Sequence, residues 1–241
     1  MALKGINSIR IDRRKVLGSL GAFTLVSCGG GSSGTSATST ATGSSGGGSG
    51  SLSCVVTPSA TEGPYFVDEG LNRSALTSGT TRVQVLDGLP LALQVGVYRV
   101  SSGACSVIEG AQVDVWHCDT AGVYSDVAAQ NTVGQTFLRG YQLTDSAGAA
   151  SFATIYPGFY PGRTTHIHFK VRSGNFEFTS QWFMDDNVSD LVYSATPYSA
   201  YGSRSTRNDN DGIYNSSLLL DLERDSANVG YVGTFTLGLQ F

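Results

Sequence analysis

Histidine is almost missing from this chain of 241 residues, with three in all, and cysteine is scarce at four. No His-Glu-X-X-His, Cys-X-X-Cys or Gly-X-Ser-X-Gly spacing occurs, so the metalloprotease, zinc-ribbon and nucleophile-elbow chemistries those spacings serve find no support. The stretch Arg207-Asn208-Asp209-Asn210-Asp211-Gly212 invites a calcium loop but fails on alignment. With Gly212 at the sixth position the first is Arg207 and the twelfth is Leu218, so the required carboxylates are absent and a polar turn is expected. Strands do not alternate with long helical patterns, which disfavours a Rossmann or barrel enzyme. No apolar run reaches the ~20 residues of a membrane span.

What apolar run there is near the start, Val16 to Val26, follows Lys4, Arg10, Arg13, Arg14 and Lys15. A basic region before a short apolar one predicts a signal peptide over 1–27. Arg13-Arg14 resembles a twin-arginine signal, and Leu25-Val26-Ser27-Cys28 resembles a lipobox, so an exported periplasmic or cell-envelope lipoprotein is expected, touching membrane only through a lipid on Cys28. Residues 28–52 are dominated by Gly, Ser, Thr and Ala, too polar and small to offset their chain entropy, and predict a tether whose 29–50 stretch spans roughly 26 Å. Residues 53–241 then form one domain. Without residues 1–27, ten basic residues remain against eighteen acidic ones, a net charge of −8. Nucleic acid is therefore an unsuitable partner. With Cys28 assigned to lipid, an oxidising compartment predicts one disulfide and one thiol among Cys54, Cys105 and Cys118. A strand from about Ala111 to Cys118 would carry Cys118 roughly 20 Å from Cys105, which favours a pair involving Cys54.

The rest reads as strands. Alternating or apolar runs occur at Leu91–Val100, Gln112–His117, Gly134–Leu138, Ala150–Ile155, Thr165–Val171, Glu177–Phe183, Leu218–Leu222 and Tyr231–Leu237, and turn residues such as Asp145-Ser146-Ala147-Gly148 punctuate them. Many short strands predict an all-β sandwich, with the last two runs as a terminal hairpin and a helix only near Asp186–Tyr193.

His166-Ile167-His168 falls inside one of these strands. Side chains alternate with period two, so both imidazoles point to one face and converge, as a mononuclear metal site needs. Two hydrogen-bonded histidines on a solvated face would look the same. Just upstream, Tyr156-Pro157-Gly158-Phe159-Tyr160-Pro161-Gly162-Arg163 packs two prolines and two glycines around a phenol and a guanidinium. Such a loop is stiff and delivers Tyr160 and Arg163 beside the histidines, although a tyrosine there can also be only a turn aromatic.

Together with Thr61-Glu62-Gly63-Pro64-Tyr65-Phe66, Gly110-Ala111-Gln112-Val113-Asp114-Val115-Trp116-His117-Cys118-Asp119, Gly122-Val123-Tyr124-Ser125 and Arg139-Gly140-Tyr141-Gln142-Leu143-Thr144-Asp145, that segment resembles the intradiol ring-cleavage dioxygenases, in the family's order. The likeness is greatest to exported members with the Trp-His-Cys-Asp motif. It implies a β-sandwich of prealbumin/immunoglobulin-like type with short helical and loop insertions. It also implies one Fe(III) per subunit held by Tyr124, Tyr160, His166 and His168, with Tyr160 leaving to act as a base when a catechol-type diol binds. Arg163 and Gln181 match residues that support the reaction, and Gly63, Pro64 and Tyr65 match the wall of the substrate pocket. Substrate, O2 and a homo-oligomer would be the partners, and a cis,cis-muconate-type acid the product. Two tyrosinates with two neutral imidazoles suit a trivalent cation, whereas Fe(II) sites use two histidines and a carboxylate, which the Tyr160 to His168 stretch lacks. A binding module of the same fold without chemistry, and a zinc hydrolase using His117, His166 and His168, are the alternatives.

Overall fold

The structure is a computed structural model that describes residues 55–241, all within one compact unit. The expected signal segment, the tether, Cys28 and Cys54 lie outside the described residues. Among the described residues nine strands run in the order β1 (Pro90–Ser101), β2 (Ala104–Val107), β3 (Gln112–Trp116), β4 (Arg139–Leu143), β5 (Ala149–Ile155), β6 (His166–Ser173), β7 (Phe176–Phe183), β8 (Asp221–Arg224) and β9 (Tyr231–Leu239). One sheet has the order β2-β1-β9-β8, with β5 also paired to β1, and the other has the order β4-β3-β6-β7. The chain is therefore all-β, with two sheets, as its alternation predicts.

Both sheets feed one apolar core. β1 contributes Leu91, Leu93, Val95 and Val97, β3 contributes Val113 and Val115, and β6 contributes Ile167, Phe169 and Val171, all buried. Because of the period of two, the other face of β6 carries His166, His168, Lys170 and Arg172. That face would meet solvent in an ordinary two-sheet domain. Here residues 57–75 run across it from edge to edge. The Ala60 N–H bonds to the Thr179 carbonyl on β7 at 3.2 Å, and the Arg73 N–H bonds to the Tyr141 carbonyl on β4 at 3.1 Å. Between those anchors Lys170 pairs with Glu62 at 2.5 Å and Arg172 with Asp68 at 2.7 Å, so the crossing segment is zipped to the outward side chains of β6.

Two short α-helices are present among the described residues, α1 (Val83–Leu86) and α2 (Asp186–Tyr193). The second falls where the sequence predicts it. Asp185 caps it by accepting from Asn187 N at 2.8 Å and Val188 N at 3.3 Å. Its buried face holds the loop after β5. Tyr193 donates its hydroxyl to the Pro157 carbonyl at 3.0 Å, Tyr156 bonds Ser189 Oγ at 2.8 Å, and Tyr198 donates to the Tyr156 carbonyl at 2.6 Å.

Two predicted strands change, and of these Leu218–Leu222 is displaced, a 3-10 turn covering Ser216–Leu218 and β8 beginning only at Asp221. The run Gly134–Leu138 is a turn rather than a strand, and the strand begins one residue later, at Arg139. Leu138 sits at φ +56°, and its N–H bonds to the Leu76 carbonyl rather than to a ladder, so burial of Phe137 and Leu138 comes from packing and not from pairing. β2 and β4, weakly patterned in sequence, complete the sheets. The remaining cysteines behave differently from one another. Cys105 is disulfide-bonded and Cys118 is a buried free thiol, while Cys54, the expected partner, lies outside the described residues.

Tyr198→Phe removes a buried hydroxyl that also accepts from Leu89 N at 3.1 Å, orphaning a backbone carbonyl and an N–H together. We expect a loss of about 2 kcal/mol in chemical denaturation, with the folded state otherwise intact.

Candidate metal centre

The outward face of β6 is where the sequence-predicted site residues meet. His166 and His168 project from it with their Nε2 atoms 3.1 Å apart. Tyr160 Oη lies 3.1 Å and Tyr124 Oη 3.4 Å from His166 Nε2. Arg163 Nη1 is 3.5 Å from the same atom. Four donor atoms from three separate segments thus gather round one point. Metal–nitrogen bonds of about 2.1 Å at right angles put neighbouring ligand atoms about 3.0 Å apart, so the spacing fits one shared cation.

Each imidazole is oriented by a different device. His166 Nδ1 is 2.7 Å from the Thr164 carbonyl, so that nitrogen carries the proton and Nε2 offers its lone pair. His168 is stacked on Trp116, centroids 5.0 Å apart and planes 10° off parallel. Directly opposite residues of neighbouring strands share a face, and Trp116, His168 and Gln181 are opposite one another across β3, β6 and β7.

The two phenols arrive on loops that glycine brings together. A Cβ on Gly122, at φ +80°, would lie 2.2 Å from the Phe159 carbonyl oxygen. One on Gly158 would lie 2.4 Å from the Asp119 carbonyl oxygen. No side chain fits at either point, so the turn after Asp119 and the loop after Tyr156 touch backbone to backbone. Asp119 shapes the first of these by accepting from Ala121 N at 2.9 Å and Val123 N at 3.0 Å. Tyr124 is fully buried and Tyr160 half-buried, so only the second phenol has room to swing.

Burial governs the protonation states. It holds His166 down to about 3, with the Arg163 charge adding to the effect, and holds His168 well below the usual histidine range. Both are neutral at pH 7. It also pushes Tyr160 up to about 12 and Tyr124 well above an ordinary phenol. Neither phenol ionises here at neutral pH without a compensating cation, and a multivalent ion in their midst reverses that preference.

Arg163 is held on two sides. Its Nη2 donates to Gln181 Oε1 at 2.5 Å, and Gln181 Nε2 donates on to the Thr61 carbonyl at 2.7 Å. Its Nε donates to Asp211 Oδ2 at 2.9 Å, an oxygen that also accepts from Thr164 N at 2.7 Å. Asp211 was not visible as a site residue in the sequence. It belongs to the polar turn rejected as a calcium loop, and no spacing relates residue 211 to residue 163. His117 stays apart from this constellation, with Nε2 at 2.7 Å from Thr154 Oγ1 and Nδ1 at 2.8 Å from the Cys118 carbonyl. Among the described residues no group of three or more His, Cys, Asp or Glu is arranged to hold a metal, so the triad needed by the zinc alternative is not assembled.

The crossing segment closes the site from above. A Cβ on Gly63 would come within 3.2 Å of His168 Cε1, and Tyr65 stacks on Tyr124 with centroids 4.5 Å apart. Pro64, between them, is exposed.

A family model described as Dioxygenase matches residues 61–211, which contain every residue of this constellation. The solved structure of an intradiol ring-cleavage dioxygenase from Tetranychus urticae is 30% identical, with a TM-score of 0.69, covering 78% of this chain and 95% of that one. The chain belongs to the intradiol ring-cleavage dioxygenase family. A second solved structure, the dioxygenase domain of a dioxygenase carbohydrate-binding protein fusion from Streptomyces sp. SirexAA-E, is 30% identical with a TM-score of 0.57, covering 77% of this chain and 99% of that one. Chlorocatechol 1,2-dioxygenase from Pseudomonas putida is 27% identical over 160 residues, 57% of this chain and 58% of that protein. The chain thus spans a little over half the length of this curated relative.

Asp211→Asn keeps the shape of the Arg163 support but removes its charge. Burial raises the Asp211 carboxyl, yet the Thr164 and Ile213 N–H groups and the Arg163 guanidinium carry it net below its ordinary value. A depressed carboxylate contributes stability that is present above its unfolded pKa of about 4 and lost as pH falls through its folded one. We expect Asp211→Asn to cost about 3 kcal/mol at pH 7, and the difference from the parent to shrink as the pH of the denaturation series is lowered below about 4.

Proposed function

We propose that this protein is a non-haem Fe(III) dioxygenase that opens the ring of a catechol-type diol between its two hydroxylated carbons, using O2 and giving a cis,cis-muconate-type product. The observation that carries this is the gathering of two imidazole Nε2 atoms and two phenol oxygens around one point in a chain of this family. The relatives are described as acting on chlorocatechol and catechol, which supports a small aromatic diol as substrate. The proposed ligands are Tyr124, Tyr160, His166 and His168, one iron per subunit.

The donor set fits that ion: two neutral nitrogens and two oxygens that become hard anions on ionisation favour Fe(III) over Fe(II). Bound iron would supply a Lewis-acidic centre that receives both oxygens of the diol and makes its ring reactive toward O2. The remaining work falls to the chain. Tyr160, half-buried and a phenolate when it serves as a ligand, would give up its position and take a substrate proton on Oη. Tyr124, fully buried and stacked under Tyr65, stays. Arg163 presents Nη1 toward the same point while Gln181 and Asp211 hold its other nitrogens, which aims a fixed positive charge where negative charge develops. Gly63, Pro64 and Tyr65 would line the space a planar ring enters, over the His168 and Tyr124 rings. The sandwich would be of the prealbumin type, and the enzyme would work outside the cytoplasm, tethered through Cys28.

A binding module without chemistry has no use for a second neutral imidazole and two phenols gathered within 3.4 Å of His166 Nε2. The purified, iron-loaded protein should be deep red from phenolate-to-iron charge transfer and should consume O2 with catechol, protocatechuate or hydroxyquinol. A colourless protein at full iron content, with no uptake on any of the three, would overturn the proposal.

Two substitutions separate the roles. Tyr160→Phe should change the colour and slow turnover together, because it removes a ligand and a base at once. Arg163→Ala should keep the colour and lower kcat by about 100-fold, and a colourless Arg163→Ala protein would remove it from its supporting position.

A further inference from the structure

We propose that Arg139 is a positioning residue for Tyr124, fastening the loop that carries this phenol to the same row of sheet residues that carries His168. The inference rests on Tyr124 and His168 holding a ferric ion, as argued above. The row is defined by strand register. Arg139 on β4 is opposite Trp116 on β3, Trp116 is opposite His168 on β6, and His168 is opposite Gln181 on β7. Directly opposed side chains share a face, so all four stand on the outward side of the sheet.

The two ends of this row act alike. At the β7 end, Gln181 fastens Arg163. At the β4 end, Arg139 donates from Nε to Ser125 Oγ at 2.8 Å and from Nη2 to the Ser125 carbonyl at 2.6 Å. Ser125 follows Tyr124 directly, and its hydroxyl donates in turn to the Phe137 carbonyl at 2.7 Å. A two-pronged grip of this kind fixes orientation as well as distance. Gln130 Oε1, accepting from Tyr124 N at 2.6 Å, and Thr132 Oγ1, donating to the Tyr124 carbonyl at 2.6 Å, hold the phenol's own backbone from the other side.

Two further observations set Arg139 apart from an ordinary buried arginine. It is 2% exposed, yet among the described residues it has no salt bridge: its side-chain hydrogen bonds go to the neutral Ser125, and Glu69 and Asp126 act on it only from beyond ion-pair distance. The residue before it, Leu138, is fully buried at φ +56°, a left-handed conformation that leucine adopts at a cost. An expensive charge beside a strained backbone is retained where placement matters. Its Nη1, together with Trp116 Nε1 and Glu69 Oε1, makes no hydrogen bond within the protein. All three residues line a cavity of about 20 Å³, the size of a single water. One water there can accept from Arg139 and Trp116 and donate to Glu69, which ties the clamp to the ring stacked on His168.

The test compares the full-length protein with Arg139→Met and Arg139→Lys, measuring near-ultraviolet circular dichroism, Fe(III) affinity and the wavelength of the charge-transfer band. Methionine keeps the stem and loses both bonds to Ser125, and lysine keeps the charge but cannot make the fork. Both should stay folded, bind iron about 10-fold more weakly and show a displaced band, with lysine the milder. A folded variant with lowered thermal stability but parental affinity and band would reduce Arg139 to a structural role and overturn the proposal. If Arg139→Met does not fold, Arg139→Lys decides by the same criterion. A colourless parent protein would instead overturn the iron assignment, and the role of Arg139 would fall with it.

Discussion

Two neutral imidazole nitrogens buried 3.1 Å apart, with two phenol oxygens beside them, make an arrangement that burial alone opposes. Two neutral phenols and a second imidazole converge on His166 Nε2, whose single lone pair can satisfy only one of them well, so buried polar atoms compete for too few partners. A multivalent cation resolves all of these at once, because it accepts the nitrogen lone pairs and draws the phenols into their anionic forms. The surrounding structure is organised to make that spot dry, rigid and open on one side.

Dryness comes from the crossing segment. Without it the outward face of β6 would be an ordinary solvated sheet surface. Its anchors on the two sheet edges, and the pairing of Glu62 with Lys170 and of Asp68 with Arg172, turn that face into a second interior. Rigidity comes from the sheet itself: His168 lies in a row with Trp116 and Gln181, and ladder hydrogen bonds set the distances along that row. Tyr160 is the least enclosed of the four donor residues, riding on a loop gripped by Tyr193 and Tyr198 at its base but only half-buried at its tip.

Electrostatics reinforces the division between fixed and movable parts. Arg163 is charged and close to the imidazoles, which would further disfavour a proton on them, while Asp211 and Gln181 absorb the rest of its hydrogen-bonding capacity. The guanidinium is thereby kept in place with Nη1 turned to the site, its charge partly offset by Asp211. The acidic surface expected of the domain plays no direct part in this, since the charges that matter are local and buried.

How much of this could be read from residues alone varied with the range of the contact. His166 and His168 share a face because strand periodicity is local, and Asp186–Tyr193 is a helix because its cap and apolar positions lie within one turn of each other. Gly134–Leu138 misled for the same local reason: an apolar run looks like a strand, and only the approach of Leu76 and the left-handed Leu138 make it a turn. Tyr124 entered the site through family likeness, and Asp211 did not enter at all, because 48 residues separate it from Arg163 and no periodicity spans such a gap. By itself the sequence determined the strand faces, the turn-rich all-β class and the glycines that permit close approach. Only tertiary structure decided which distant loops meet over β6, because those meetings depend on register and long-range packing rather than on any repeat along the chain.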